Sequence, residues 1–160
     1  MTTPEQLAFT DRMAHFYARE YGFPPVAGRV LGYLLICRPP QQSIAELAEA
    51  LMASRSAVTG AVALLADHRA VRRSRSAGQR MDHVTVDSRA LDPTGFAAEI
   101  YQQQAVLARE ALALLDDGDS ERQAILAEAA AYHDFLADRM AALLAEWQSK
   151  REELGFPQKG

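Results

Sequence analysis

A chain of 160 residues, 49% of them apolar, is long enough for one domain, or for a small module plus an oligomerisation element. Its single cysteine, Cys37, excludes a disulfide framework and a Cys-rich zinc site and points to the cytoplasm. The net charge of −4 argues against a nucleic-acid partner only if it is spread evenly, and no apolar run approaches the roughly 20 residues of a membrane span. The N-terminus also lacks the basic segment and apolar core of a signal peptide.

Residues 3 to 21 open with Thr3, Pro4 and Glu5, a cap, a first-turn proline and a first-turn acid. The spacing then predicts a helix with Phe9, Met13, Phe16 and Tyr17 on one face, ended by Gly22 and the pair Pro24 and Pro25. A second helix runs from about Pro25 to Cys37, apolar at Val26, Val30, Leu31, Leu34 and Leu35, with Pro39 and Pro40 as its stop.

Residues 43 to 68 predict two short helices joined by a tight turn. Ser43 caps the first, with Glu46 completing a capping box and Leu47, Ala48 and Leu51 forming an apolar face that ends near Met52 and Ala53. Ser54 caps the second, whose inner positions are Val58, Val62 and Leu65. Its other face carries Arg55, Ser56, Thr59 and Gly60, which are short and polar apart from one guanidinium. That composition suits a helix whose N-terminal end enters a major groove, because hydroxyls and one arginine reach base edges and phosphates while nothing bulky holds the helix away.

The next stretch changes period. His83, Val84, Thr85 and Val86 alternate, and Ser76, Ala77, Gly78 and Gln79 supply a turn, so a short β-hairpin is expected. Its sides and tip carry Arg72, Arg73, Arg75 and Arg80, and Asp82 beside Arg80 is placed to orient it through a charge-assisted pair. Arginine at such a tip suits a narrow minor groove, where negative potential is focused. From Ser54 to Arg89 seven arginines face three aspartates, whereas from Asp92 to Leu154 thirteen acids face five bases. The local field therefore assigns the phosphate-facing role to the first segment.

Asp92, Pro93 and Thr94 begin a long helix, apolar at Phe96, Ile100, Leu107, Ala111, Leu114 and Leu115, which Asp116 to Asp119 break. Ser120, with Gln123 as capping-box partner, starts a last helix, apolar at Ile125, Ala129, Tyr132, Leu136, Leu143, Trp147 and Leu154 and running past Glu152. Helices of this length cannot bury all their apolar surface against a small winged module, so each needs the other, the N-terminal helix or a second subunit. A symmetric dimer is the economical answer, and it gives a DNA reader two half-sites.

With this order of elements the chain resembles the MarR-like winged-helix transcriptional regulators. The carrying segments are LAEALMASRSAVTGAVALL (47 to 65), DHRAVRRSRSAGQRMDHVTV (67 to 86) and the flanking long helices; PPVAGRVLGYLLIC (24 to 37) is similar to the GbsR-type branch. The resemblance implies a mainly α fold, a winged helix-turn-helix with a short β-hairpin wing, flanked by long N- and C-terminal dimerisation helices. Residues 1–22 and 92–157 would form the helical dimerisation region and residues 24–91 the DNA-binding domain. It further implies an obligate homodimer on a pseudo-palindromic operator in double-stranded DNA, and a small-molecule effector bound between the two parts. Carried over by position, Arg55, Ser56, Thr59 and Gly60 would lie in the major groove and Arg75 and Arg80 on the wing, with Ser54 and Arg73 beside them. The stretch Val86 to Pro93 lacks the Leu-Thr-x-x-Gly pattern of many such wings, and Ala57 and Gly60 leave few base-reading side chains, so preference for sequence rests partly on the wing and on DNA shape.

No catalytic, cofactor or metal pattern competes. His15, His68, His83, His133 and Cys37 form no ligand spacing, and the neighbours Tyr132, His133 and Asp134 point to different faces of a helix. Some relatives in the resembled family sense peroxide with a cysteine in the first helix; Cys37 ends the second, and although Arg38 beside it could lower its pKa, the expectation for it is a buried, inert thiol. Phe16, Tyr17, Tyr21, Tyr33 and Trp147 are the aromatic residues available for an effector pocket, which would suit a cationic ligand. The expectation is thus a non-enzymatic, cytoplasmic homodimeric regulator, a repressor rather than an activator. The alternative is a winged-helix adaptor that docks a protein instead of DNA.

Overall fold

The computed structural model describes residues 2–74, 82–87, 97–116 and 118–156. In chain order the elements are α1 (Pro4–Tyr21), α2 (Pro25–Ile36), β1 (Gln42–Ser43), α3 (Ile44–Ala50), α4 (Arg55–Asp67), β2 (Val71–Ser74), β3 (His83–Val86), α5 (Ala97–Ala113) and α6 (Ser120–Glu153). The chain divides into two compact units, Met1–Asp92 and Pro93–Gly160.

The first unit is a winged helix. Strand β3 lies between β1 and β2 and is antiparallel to both, with Val71 opposite Val86, Arg73 opposite Val84, and Gln42 also opposite Val84. The antiparallel pairing of β2 with β3 is the one expected, and the turn read at Ser76 to Gln79 lies outside the described residues. The two-residue strand β1 is not expected, because a pair of polar residues carries no strand signal; its backbone is fixed by β3 and both its side chains are buried. Val84, fully buried, joins Val30, Leu31, Leu47, Leu51, Val58, Val62 and Leu65 in one core from α2, α3, α4 and the sheet. The apolar positions read in α4 and Val26, Val30, Leu31 and Leu34 of α2 therefore do face inward, whereas Leu35 is half-buried and outside this core.

Helix α1 starts at a capping box in which Gln6 N–H donates to Thr3 Oγ1 and Thr3 N–H donates to Gln6 Oε1, at 3.2 and 2.9 Å. Its buried face differs from the expected one. Thr10 and Ala14 are the buried residues, the expected Met13 and Tyr17 are partly buried against the core, and Phe16 is 45% exposed. The cause lies in α2, where Gly28 and Gly32 sit one turn apart and let the two helices meet almost backbone to backbone. A Cβ at Gly28 would stand 2.6 Å from Ala14 Cα, and one at Gly32 would stand 3.0 Å from Met13 Cγ. So close an approach admits small residues and turns large ones outward.

Helix α3 shows the predicted capping box. Ser43 N–H donates to Glu46 Oε2 at 2.7 Å and Glu46 N–H donates to Ser43 Oγ at 3.2 Å. The helix ends at Ala50 rather than near Met52, because Met52 turns into the left-handed region at φ 50 and Ala53 N–H donates back to Ala48 O. The Glu46 carboxyl is held below its ordinary pKa, chiefly by the Ser43 backbone and side-chain bonds, with a smaller contribution from His83. A folded value below the unfolded one gives stability that is present above the ordinary carboxylate range and lost as pH falls through the folded value. Between about pH 7 and about pH 3, Glu46→Gln should therefore lose less melting temperature than the unchanged chain, as thermal melts at each pH would record.

In the second unit α5 and α6 fold back on one another. Arg109 donates both ways to Asp134, at 2.9 and 3.0 Å, and Tyr101 stacks on His133. The contact is made by alanines: Ala105 and Ala108 of α5 and Ala130 and Ala137 of α6 are buried. Of the apolar positions read here, Ile100 and Leu107 on α5, Leu114 just beyond it and Ile125, Tyr132 and Leu143 on α6 are 48 to 85% exposed in the single chain, whereas Ala111, Leu115, Ala129 and Leu136 are half-buried. The N-cap of α6 is also corrected. It is Asp119, not Ser120, and Gln123 Nε2 donates to Asp116 O at 3.0 Å rather than closing a capping box. The predicted start of the preceding helix, Asp92 to Phe96, lies outside the described residues. Among the described residues no single helix is long and apolar enough to cross a membrane.

Candidate nucleic-acid interface

Helix α4 carries two faces that do different work. Val58, Ala61, Val62 and Leu65 are buried, while Ser54, Arg55, Ser56, Thr59 and Gly60 are all exposed, as expected for a helix packed by one side only. Its N-terminus is ordered by side chains. Ser54 is extended, at φ −71 and ψ 147, and its Oγ accepts the Ala57 N–H at 3.2 Å and lies 3.1 Å from Ser56 Oγ. Thr59 Oγ1 donates to Arg55 O at 2.8 Å. With its proton committed to the backbone, the Thr59 hydroxyl offers lone pairs and its methyl outward, which fits a base-edge donor or a thymine methyl. Gly60 faces open space, since a Cβ there would meet nothing within 4 Å. Ala63, one turn further on, is exposed on the same side and extends this small-residue face. The sequence reading missed it, although its i+4 spacing from Thr59 was the available signal.

The wing begins beside this helix. Arg72, Arg73 and Ser74 on β2 are exposed, and Arg72 Nε stands 3.9 Å from Oδ2 of the buried Asp87. Arg73 lies opposite Val84 at the sheet edge. Arg75 and Arg80, the expected wing-tip cations, lie outside the described residues. Asp82, read from sequence as a partner for Arg80, lines a cavity of about 360 Å³ together with Arg55 and Thr59 of α4 and Ser43, Ile44 and Ala45 at the start of α3. The base of the wing, the start of α3 and the first turns of α4 thus share one surface. Of the expected groove residues Arg55 and Thr59 line it, while Ser54, Ser56 and Gly60 are exposed on the same N-terminal half of α4, in an arrangement that can present hydroxyls and a guanidinium to a polyanion.

The aromatic residues considered for an effector divide into three places. Phe16, Tyr17 and Tyr21 form a ring cluster on α1, with Phe16 and Tyr17 edge to face at 5.4 Å and Tyr17 and Tyr21 stacked at 5.3 Å. Burial, aided by Tyr21, pushes the Tyr17 hydroxyl above its ordinary pKa. Tyr33 instead lines a separate cavity of about 400 Å³ with Leu7, Gln42, Glu46, Glu49 and Met52. Trp147 belongs to α6 in the second unit. The sequence reading missed Phe23, which stacks on Tyr17 at 5.9 Å and approaches His68 at 4.8 Å, tying the α1–α2 connection to the end of α4. Cys37 is 7% exposed, its Sγ 3.8 Å from Leu34 O, and burial raises its pKa. That is the environment of a thiol kept protonated, and so of poor nucleophilicity.

Comparison with known proteins agrees with this geometry. A family model described as "MarR family" matches residues 21–80, and one described as "MmpR5-like MarR family transcriptional regulator" matches residues 96–151. The "HTH-type transcriptional regulator MmpR5" of Mycobacterium tuberculosis (strain ATCC 25618 / H37Rv) is 33% identical over 95 residues, 59% of this chain and 54% of that protein. The match thus spans about half the length of the relative. A solved structure described as "Crystal Structure of a transcriptional regulator" superposes with a TM-score of 0.74 at 25% identity, covering 91% of this chain and 99% of its own.

Proposed function

We propose, for a chain that carries MarR-family transcriptional-regulator domains in both of its compact units, a sequence-specific DNA-binding regulator that acts as a homodimer. The observation that carries the reading is the division of α4: one face locked into the core through Val58, Val62 and Leu65, the other a run of small exposed residues with one arginine. In this reading Arg55, Ser56, Thr59 and Gly60 enter a major groove, Ser54 and the free N–H groups of the first turn meet phosphate, and Arg73, Arg75 and Arg80 serve the adjacent minor groove. Dimerisation is supported by the apolar surface that α5 and α6 leave uncovered, of which Leu114, Ile125 and Leu107 are the most exposed members. Residues 92–157, with residues 1–22, would supply the pairing region, and recognition helices roughly 34 Å apart would meet a pseudo-palindromic operator. Repression, a cytoplasmic location and relief by a small molecule at the Phe16, Tyr17 and Tyr21 cluster belong to the same proposal. The GbsR-type assignment rests on the proline-led α2 alone.

The test is fluorescence anisotropy with duplexes enriched from a random pool by the full chain. Arg55→Ala should weaken binding by about 1–3 kcal/mol, the size of a specific contact, and log K should fall linearly with log salt. A chain that enriches no duplex at low salt, or whose affinity ignores both Arg55 and salt, would sink the reading in favour of a protein-docking adaptor.

A further inference from the structure

The turn that aims α4 is held from below by a side chain outside the face that would meet DNA. Arg29 of α2 is three-quarters buried, and its Nη1 donates to Leu51 O at 3.0 Å. Leu51 is the C-cap of α3 and has no solvent exposure, so its carbonyl, which lacks an intrahelical donor, cannot turn to water instead. The guanidinium also lies where a helix C-terminus attracts positive charge. On its other side Arg29 Nε stands 2.9 Å from Asp11 Oδ1 of α1, off the line of a hydrogen bond, so this second attachment is an ion pair. One side chain therefore ties α1 and α2 to the first residue of the α3–α4 turn. The residues that follow are Met52, in the left-handed region, Ala53, and the Ser54 cap of α4.

We propose that Arg29 is a positioning residue for DNA binding: it fixes the α3–α4 turn, and through it the direction of the α4 N-terminus, relative to α1 and α2. The inference rests on the DNA-binding reading for its consequence but on the Asp11, Arg29 and Leu51 geometry for its cause. Without the guanidinium, the Leu51 carbonyl is left buried and unpaired, and the turn regains the freedom to swing. Arg29→Lys keeps a charge and a donor on a similar stem, whereas Arg29→Met keeps the stem alone.

Two readouts on the full chain test this. Hydrogen exchange followed by mass spectrometry should show amides 51–58 exchanging about tenfold faster in Arg29→Met, with peptides of α5 and α6 unchanged, and Arg29→Lys restoring most of the protection. Affinity for a duplex enriched by the wild-type chain should fall about tenfold in Arg29→Met and recover in Arg29→Lys, with the salt slope unaltered because no phosphate contact is removed. If Arg29→Met does not fold, Asp11→Asn, which cuts one attachment at an exposed site, should show the same changes at smaller size. Wild-type exchange at 51–58 in folded Arg29→Met, or in Asp11→Asn where only that variant folds, overturns the proposal. So does loss of affinity that Arg29→Lys does not mend. Failure of the wild-type chain to bind any duplex would instead strike the DNA-binding reading and leave the exchange result to judge the strut by itself.

Discussion

Replacing Gly28 by alanine is expected to destabilise the first unit by about 2–3 kcal/mol, the upper part of the range for overpacking in a close-packed core. The usual expectation has the opposite sign, since alanine is favoured over glycine inside a helix by roughly 1 kcal/mol. The contact decides which effect wins. A Cβ at Gly28 would lie 2.6 Å from Ala14 Cα, 2.9 Å from Ala14 N and 2.9 Å from Met13 O, all backbone atoms of α1 that no rotamer change can move. The two helices must separate, and the seam formed by Thr10, Ala14, Gly28 and Gly32 opens along its length. Gly32→Ala is the graded comparison, because its neighbours, Met13 Cγ at 3.0 Å, Met13 Cβ at 3.1 Å and Thr10 Cα at 3.3 Å, stand further off and only the first can move by a rotamer change, so a smaller separation of the helices relieves it. Thermal melts should place Gly28→Ala about 10 °C or more below the unchanged chain, at 4–8 °C per kcal/mol for a unit of this size, and Gly32→Ala between the two. Equal melting temperatures for the two variants would show that the seam is not closed in solution.

That seam marks where sequence reasoning ran out. The capping box of Ser43 and Glu46 and the inward set Val58, Val62 and Leu65 were legible because each signal is local and tied to one period. The α1–α2 contact was not, since glycine and alanine carry almost no hydropathy signal and their role appears only when a second helix is placed against them. For α5 and α6 the sequence left open whether the apolar faces meet each other, the N-terminal helix or a second subunit. Periodicity finds apolar faces but does not say which of them the chain uses itself. Here Ala105, Ala108, Ala130 and Ala137 make the internal contact, while Leu107, Leu114 and Ile125 stay outside. The exposed face of α4 was legible, except for Ala63, because such a face is defined by what is absent as much as by what is present. The place of Asp82 on one cavity with Arg55 and Thr59 depends on the tertiary arrangement of the strand start and α4, and no spacing encodes that.

Gly60→Glu should leave the fold as it is and remove most of the affinity for DNA. The two halves of this expectation have separate physical origins, which makes the variant a sharp probe. Inside the folded chain a Cβ at position 60 meets nothing within 4 Å, and the residue lies in the regular part of α4. Glutamate there relieves the conformational cost of a mid-helix glycine, so the melting temperature should hold or rise by the equivalent of up to about 1 kcal/mol. Against a duplex the same side chain stands between Ser56 and Ala63 on the exposed face, carrying a negative charge and three carbons of bulk into the space a base edge or phosphate would occupy. Loss of close approach and repulsion by phosphate, at about 1–3 kcal/mol for a disrupted position, together predict about a hundredfold weaker binding at low salt. Gly60→Ala separates the two contributions, because it adds the methyl group without the charge. A stable Gly60→Glu protein that binds duplex as tightly as the unchanged chain would mean that this side of α4 never faces the DNA.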